Sequence, residues 1–144
     1  MKTRNEVTVF YRKKFRPPFS VKKAAEKILA GEKKKSAEIN IIFTGSRFMK
    51  SINAAYRLKN RETDVISFEI QGKGKNCAGG DIFICIDKAR ENAKEYGATF
   101  KEELARLVAH GVLHALGYDH EKTGAGRKKM LYKQNRYIKA IMKN

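Results

Sequence analysis

Residues 63–86 read TDVISFEIQGKGKNCAGGDIFICI. Two runs rich in β-branched and aromatic side chains, 63–70 and 80–86, flank a polar, Gly-rich loop at 71–76. No helix separates them, so the pair is expected to be antiparallel. Every other strand candidate is separated from the next by a helix and is expected to pair in parallel. Upstream, Val7-Thr8-Val9-Phe10-Tyr11 reads as a first strand, and Pro17-Pro18 breaks the chain. Ser20 then caps a helix in which Val21, Ala24, Ala25, Ile28 and Leu29 recur at helical spacing until Gly31. Residues 38–43 form a second strand, apolar enough to be central. A helix starts at Thr44 or Ser46 and runs to about Leu58, with Phe48, Met49, Ile52, Ala55 and Tyr56 as its apolar face.

Downstream, Asp87 is placed to cap a helix through Tyr96, ended by Gly97. Thr99, with Glu102 three residues on, makes a capping box for a helix that runs to about Leu116 and stops at Gly117. A last helix fills residues 124–142. The order β α β α β β α α α predicts an α+β protein. It is a single domain over residues 1–144, a small mixed four-stranded sheet packed by about five helices.

The composition narrows the function classes. At 42% apolar and 10% aromatic, the chain is too hydrophobic to be disordered. Two cysteines, Cys77 and Cys85, exclude a disulfide framework and point to a reducing compartment. No apolar run approaches the roughly 18 residues a membrane span needs. The N-terminal MKTRNEVTVFYRKKF lacks a secretion signal's apolar stretch, so a cytoplasmic protein is expected. The net charge is +17 and is uneven. Residues 1–36 carry 12 basic and 3 acidic side chains, residues 37–120 carry 12 and 11, and residues 121–144 carry 8 and 1. Single runs such as Lys33-Lys34-Lys35 read as solvated surface. The distribution as a whole calls for a polyanionic partner, most simply RNA. No Trp or Phe marks the last helix as a membrane-surface element.

The three histidines of the chain fall within HGVLHALGYDH, residues 110–120. His110 and His114 are four apart on a predicted helix and share a face. Gly117 ends that helix and lets the chain reverse, which brings His120 toward the other two. Three imidazoles leave a fourth position open on a tetrahedral ion, the catalytic rather than the structural arrangement. On a helical wheel Leu104, Leu107, Val108, Gly111 and Ala115 form the core stripe. His110 and His114 lie beside it, with Glu103 in the same sector two turns earlier and Arg106 nearby.

The spacing matches the zinc-protease motif H-E-x-x-H-x-x-G-x-x-H except that Gly111 stands where those enzymes keep their Glu base. Peptide hydrolysis needs that base. Phosphodiester cleavage depends on it less, since a metal activates the water and cations hold the anionic transition state. Both Gly111 and the charge therefore favour phosphodiesters.

These residues resemble the YbeY family of metal-dependent endoribonucleases, whose signature H-G-x-L-H-x-x-G-Y-D-H is met in full by residues 110–120. A second block, INAAYRLK at 52–59 followed by TDVISF at 63–68, and the Gly80-Asp81-Ile82 strand start also resemble the family. Glu62 stands where a proline commonly precedes the Thr. The resemblance spans roughly residues 40–135. It implies one Zn²⁺ per chain on His110, His114 and His120, with Arg57 lining the same cleft. It also implies single-strand-specific cleavage in ribosomal RNA processing (16S 3′-end maturation of the small subunit) and ribosome quality control. Small-subunit rRNA or ribosomal particles would be the partners.

Read from its own chemistry, Arg57 suits a phosphate clamp or a surface ion pair. Lys59 adds a second basic contact to RNA. Asp64 and Ser67 suit ordering of the loop and strand. Asp119 suits either a partner to a metal-bound imidazole or a cap. Cys85 suits strand packing and Met130 the core. Two alternatives stay open at this level. One is a three-histidine zinc hydrolase of another class, metalloprotease-like. The other is a non-catalytic RNA-binding ribosome assembly factor.

Overall fold

The computed structural model describes residues 4–56, 64–69, 78–118 and 124–143. The elements in chain order are β1 (Glu6–Tyr11), α1 (Val21–Gly31), β2 (Glu38–Thr44), α2 (Ser46–Ala55), β3 (Val65–Glu69), β4 (Gly79–Cys85), α3 (Ile86–Tyr96), α4 (Phe100–Ala115) and α5 (Gly124–Met142). The sheet order is β1-β2-β4-β3. β1 runs parallel to β2 and β2 parallel to β4, while β3 returns antiparallel to β4. Among the described residues, the mixed four-stranded sheet and five helices are those the pattern predicts.

Alternation along the strands sorts the side chains into two layers. Ile39, Ile41 and Phe43 of β2, and Ile82 and Ile84 of β4, are fully buried in the main core with α1, α3 and α4. The other face carries a smaller cluster, in which Ile66 and Cys85 pack with Met49 and Ile52 of α2. α4 is the centre of the molecule. It packs against α1, α3, α5, β3 and β4, and ten of its sixteen residues are buried. Its capping box is complete: Thr99 Oγ1 accepts from the Glu102 N–H at 3.0 Å, and Glu102 Oε1 accepts from the Thr99 N–H at 3.0 Å.

Several boundaries differ from expectation, each for a tertiary reason. Asp87 does not cap its own helix, whose N-cap is Cys85. Its carboxylate instead accepts from the Ser46 N–H at 3.0 Å and from Lys13 Nζ at 2.7 Å. It thus caps the start of α2 from across the fold, where the N-cap Gly45 offers no side chain. The Lys13 ammonium and the Ser46 N–H hold this carboxyl below the usual carboxylate range.

α1 does end at Gly31 as expected, and the left-handed residue that follows is Lys33, at φ 60°. Gly31 is needed because a methyl there would overlap the hydroxyl of Tyr137 on α5. α2 ends at Ala55, short of the expected Leu58, and Ala55 is exposed rather than an apolar contact. Tyr56 is exposed on one side but sets its ring against Phe68 of β3, with centroids 4.9 Å apart, and Phe48 meets Phe83 of β4. Ile86 opens α3 instead of closing β4. Thr63, Ile70, Leu58 and Cys77 lie outside the described residues.

Candidate functional site

The site is built on α4. Gly111 faces the sheet, and a Cβ there would lie 2.6 Å from Ile82 Cγ2 and 3.3 Å from Val65 Cγ2. The missing side chain lets α4 sit against β3 and β4. The approach is sealed by the Ser67 hydroxyl, which donates to the Gly111 carbonyl at 3.1 Å. Position 111 therefore has no room for a carboxylate base, and Ser67 orders this contact as its position suggested. His110 and His114 flank the glycine, each half-buried at the edge of the core. Their rings are near-parallel, 28° apart in plane, with centroids 6.1 Å apart.

The two imidazoles are held differently. His110 Nδ1 is 2.9 Å from Oε1 of Gln134, a residue of α5 only 7% exposed. His114 Nδ1 is buried with no hydrogen-bond partner among the described residues. A buried, unsatisfied ring nitrogen beside a second imidazole fits a cation site, since such groups otherwise cost free energy. Gly117, at φ +100°, then turns the chain. His120, the third predicted ligand, lies outside the described residues, as do Asp119, Arg57 and Lys59. No cluster of three or more His, Cys, Asp or Glu forms among the described residues.

Two networks frame the site. The first holds the approach to β3. Glu103, only 3% exposed, accepts from Arg106 Nε at 2.9 Å and Arg106 Nη2 at 2.7 Å. Arg106 Nη2 also donates to Asp64 at 3.1 Å, and Asn92 Nδ2 bridges both carboxylates at 3.0 Å. The bonds to Glu103, with the Asp64 charge, push the Arg106 pKa further up against the effect of burial. Asp64 thus orders the segment leading into β3. Glu103, in the same sector as the histidines, is spent on this ion pair.

The second network holds the turn after α4. The Glu32 side chain, 4% exposed, accepts from the Tyr118 hydroxyl at 2.6 Å and the Tyr137 hydroxyl at 2.5 Å. Lys133 Nζ adds contacts at 3.1 and 3.2 Å. Burial alone would raise the Glu32 pKa, but the hydrogen bonds from Tyr118, Tyr137 and Lys133 win and lower it. The same burial and the Glu32 charge raise the pKa values of both tyrosines. Tyr118 is two residues before His120, the third predicted ligand, and this node ties Tyr118 to the end of α1 and to α5.

Met130 is core at 2% exposed, and Cys85 packs in the second cluster at 1%. Sequence reasoning missed Gln134, Glu32 and Tyr137. For Gln134 a signal existed: buried Met130, Gln134 and Ile141 share one helical stripe, and a lone amide there needs a partner. For Glu32 and Tyr137 none did, because the pair is 105 residues apart.

Comparison with known proteins matches the family model described as Endoribonuclease YbeY over residues 8–142. The chain is 35% identical over 125 residues to "Endoribonuclease YbeY" of Chloroherpeton thalassium, covering 87% of this chain and 86% of that protein. It is 33% identical over 144 residues to "Endoribonuclease YbeY" of Aquifex aeolicus, covering 97% and 94%. A solution structure from Thermotoga maritima superposes with a TM-score of 0.67 at 29% identity, covering 94% of this chain and 88% of that one.

Proposed function

The chain belongs to the endoribonuclease YbeY family and is a hydrolase of RNA phosphodiesters; from that premise we propose that it is a single-strand-specific, metal-dependent endoribonuclease. Its task is small-subunit rRNA processing, including 16S 3′-end maturation, and ribosome quality control in the cytoplasm. The observation that carries the reading is the pair of half-buried imidazoles on one face of α4, one of them with a buried ring nitrogen that no described residue partners. In this reading His110, His114 and His120 hold one Zn²⁺ per chain, a metal suited to all-imidazole ligation. A divalent ion there supplies Lewis acidity toward water and phosphoryl oxygen.

The chain's own residues do the rest. Gly111 brings α4 onto the sheet and leaves the site without the neighbouring carboxylate that peptide hydrolysis uses, which disfavours the metalloprotease alternative. Arg57 follows Tyr56 directly at the end of α2; its planar fork suits two phosphate oxygens of the reacting group, with Lys59 adding charge. Tyr56, 64% exposed, offers a ring on which an unpaired base can stack. The basic terminal segments hold the flanking backbone of rRNA or of ribosomal particles.

The test is cleavage of single-stranded and duplex RNA by wild type and a His110→Ala, His114→Ala double variant, with metal content measured on both. Loss of metal and of cleavage together, with single strands preferred, supports the reading. Stoichiometric metal in the double variant refutes the ligand set. RNA affinity and biological activity that both survive without cleavage would instead support the non-catalytic assembly factor.

A further inference from the structure

Gln134 is a buried amide in the inward stripe of α5, between Met130 at 2% and Ile141 at 5% exposure. An apolar side chain would satisfy that stripe, and an amide buried there costs free energy unless it is paired. Its oxygen is 2.9 Å from His110 Nδ1. An amide oxygen only accepts, so Nδ1 carries the proton, and the lone pair of the neutral imidazole is left on Nε2. The hydrogen bond therefore settles which nitrogen of His110 can face an electrophile, and also fixes the plane of the ring.

Gln134 itself is held firmly. Lys133 beside it and Tyr137 one turn on both bond to the buried Glu32 carboxylate at the end of α1. The near approach of α5 to α1 that this needs is made possible by Gly31. Among the described residues His114 has no such partner.

We propose that Gln134 is the positioning residue of this site, committing His110 to ligation through Nε2; this rests on the metal reading above. A partner of this kind to a metal-bound histidine is typically worth 10–100-fold in metal affinity. Gln134→Leu keeps the side-chain size, removes the acceptor and leaves a stripe that is wholly apolar. Gln134→Glu keeps an acceptor in place.

The experiment titrates Zn²⁺ into the metal-free full-length proteins against a chromophoric chelator. It also records the tautomer of His110 in each metal-free protein by long-range ¹H–¹⁵N NMR. Wild type should show the Nδ1–H tautomer. Gln134→Leu should bind zinc about 10–100-fold more weakly and lose the tautomer preference, with its urea midpoint unchanged or raised. Gln134→Glu should restore both readouts. Wild-type His110 in the Nε2–H form, Gln134→Leu affinity within twofold of wild type, or Gln134→Glu as weak as Gln134→Leu each overturns the assignment. Wild type that binds no zinc overturns the metal reading itself, and is told apart by failing before any variant is compared.

Discussion

Replacing Glu32 by Gln changes one oxygen to an amide in a site closed to water, and its effect follows from the contacts. The carboxylate accepts from two tyrosine hydroxyls at 2.6 and 2.5 Å, and its side chain is 4% exposed. Hydrogen bonds to a charged group contribute about 1.5–3 kcal/mol each and neutral ones about 0.5–1.5 kcal/mol, so two such bonds lose roughly 2–3 kcal/mol together. One tyrosine must also reverse its hydroxyl to meet the new amide N–H. Lys133, 23% exposed, turns to solvent and adds little. The expected loss is about 2–4 kcal/mol at pH 7, a fall in Tm of roughly 5–15 °C for a domain of this size.

Because Glu32 has its pKa lowered below the ordinary 4.5, its contribution is fully present above that value and is lost as pH falls through the folded-state pKa. The gap between wild type and Glu32→Gln should hold from pH 7 down to about 4.5 and close below it. Urea denaturation of both proteins in chelator, at stepped pH, measures this on the fold alone. A gap under about 0.5 kcal/mol at pH 7, or one unchanged at pH 3, would refute the reasoning.

Gly111→Ala should destabilise by about 1–3 kcal/mol despite the better helix former, because its methyl meets Ile82 Cγ2 at 2.6 Å; equilibrium urea unfolding checks it. Arg57→Ala should melt like wild type, match its metal content and cleave RNA about 10²–10³-fold more slowly, with Arg57→Lys also impaired; cleavage kinetics at matched metal content decide it. RNA affinity should fall with salt at a log–log slope of about −0.7 per phosphate contact, and a slope near zero in a filter-binding titration would remove the electrostatic role of the basic ends.

The fold was largely legible because its signals are local. Capping residues such as Ser20 and Thr99, the Gly-rich loop between two β-rich runs, and helix-separated strands specify element types and pairing senses with little help from tertiary contacts. The positions of His110 and His114 followed from helical geometry alone. Asp87 shows the limit: a capping residue read by its neighbours capped a different helix, because the turn into α3 lies beside the start of α2. Gly31 marks the end of α1 in the sequence, but the space it leaves to Tyr137 on α5 shows only in the folded chain.

By itself the sequence determined the secondary structure, the mixed sheet, the basic ends and the histidine pair, since these depend on residues within a few positions of one another. Only the tertiary structure decided what surrounds that pair. The Gln134 oxygen on His110, the Glu32 node that anchors Tyr118, and the Arg106 network on Asp64 join residues 24 to 105 positions apart. No periodicity encodes such contacts. They exist because burying α4 on nearly every side brings α1, α5 and the approach to β3 against it, where each buried polar group must find a partner.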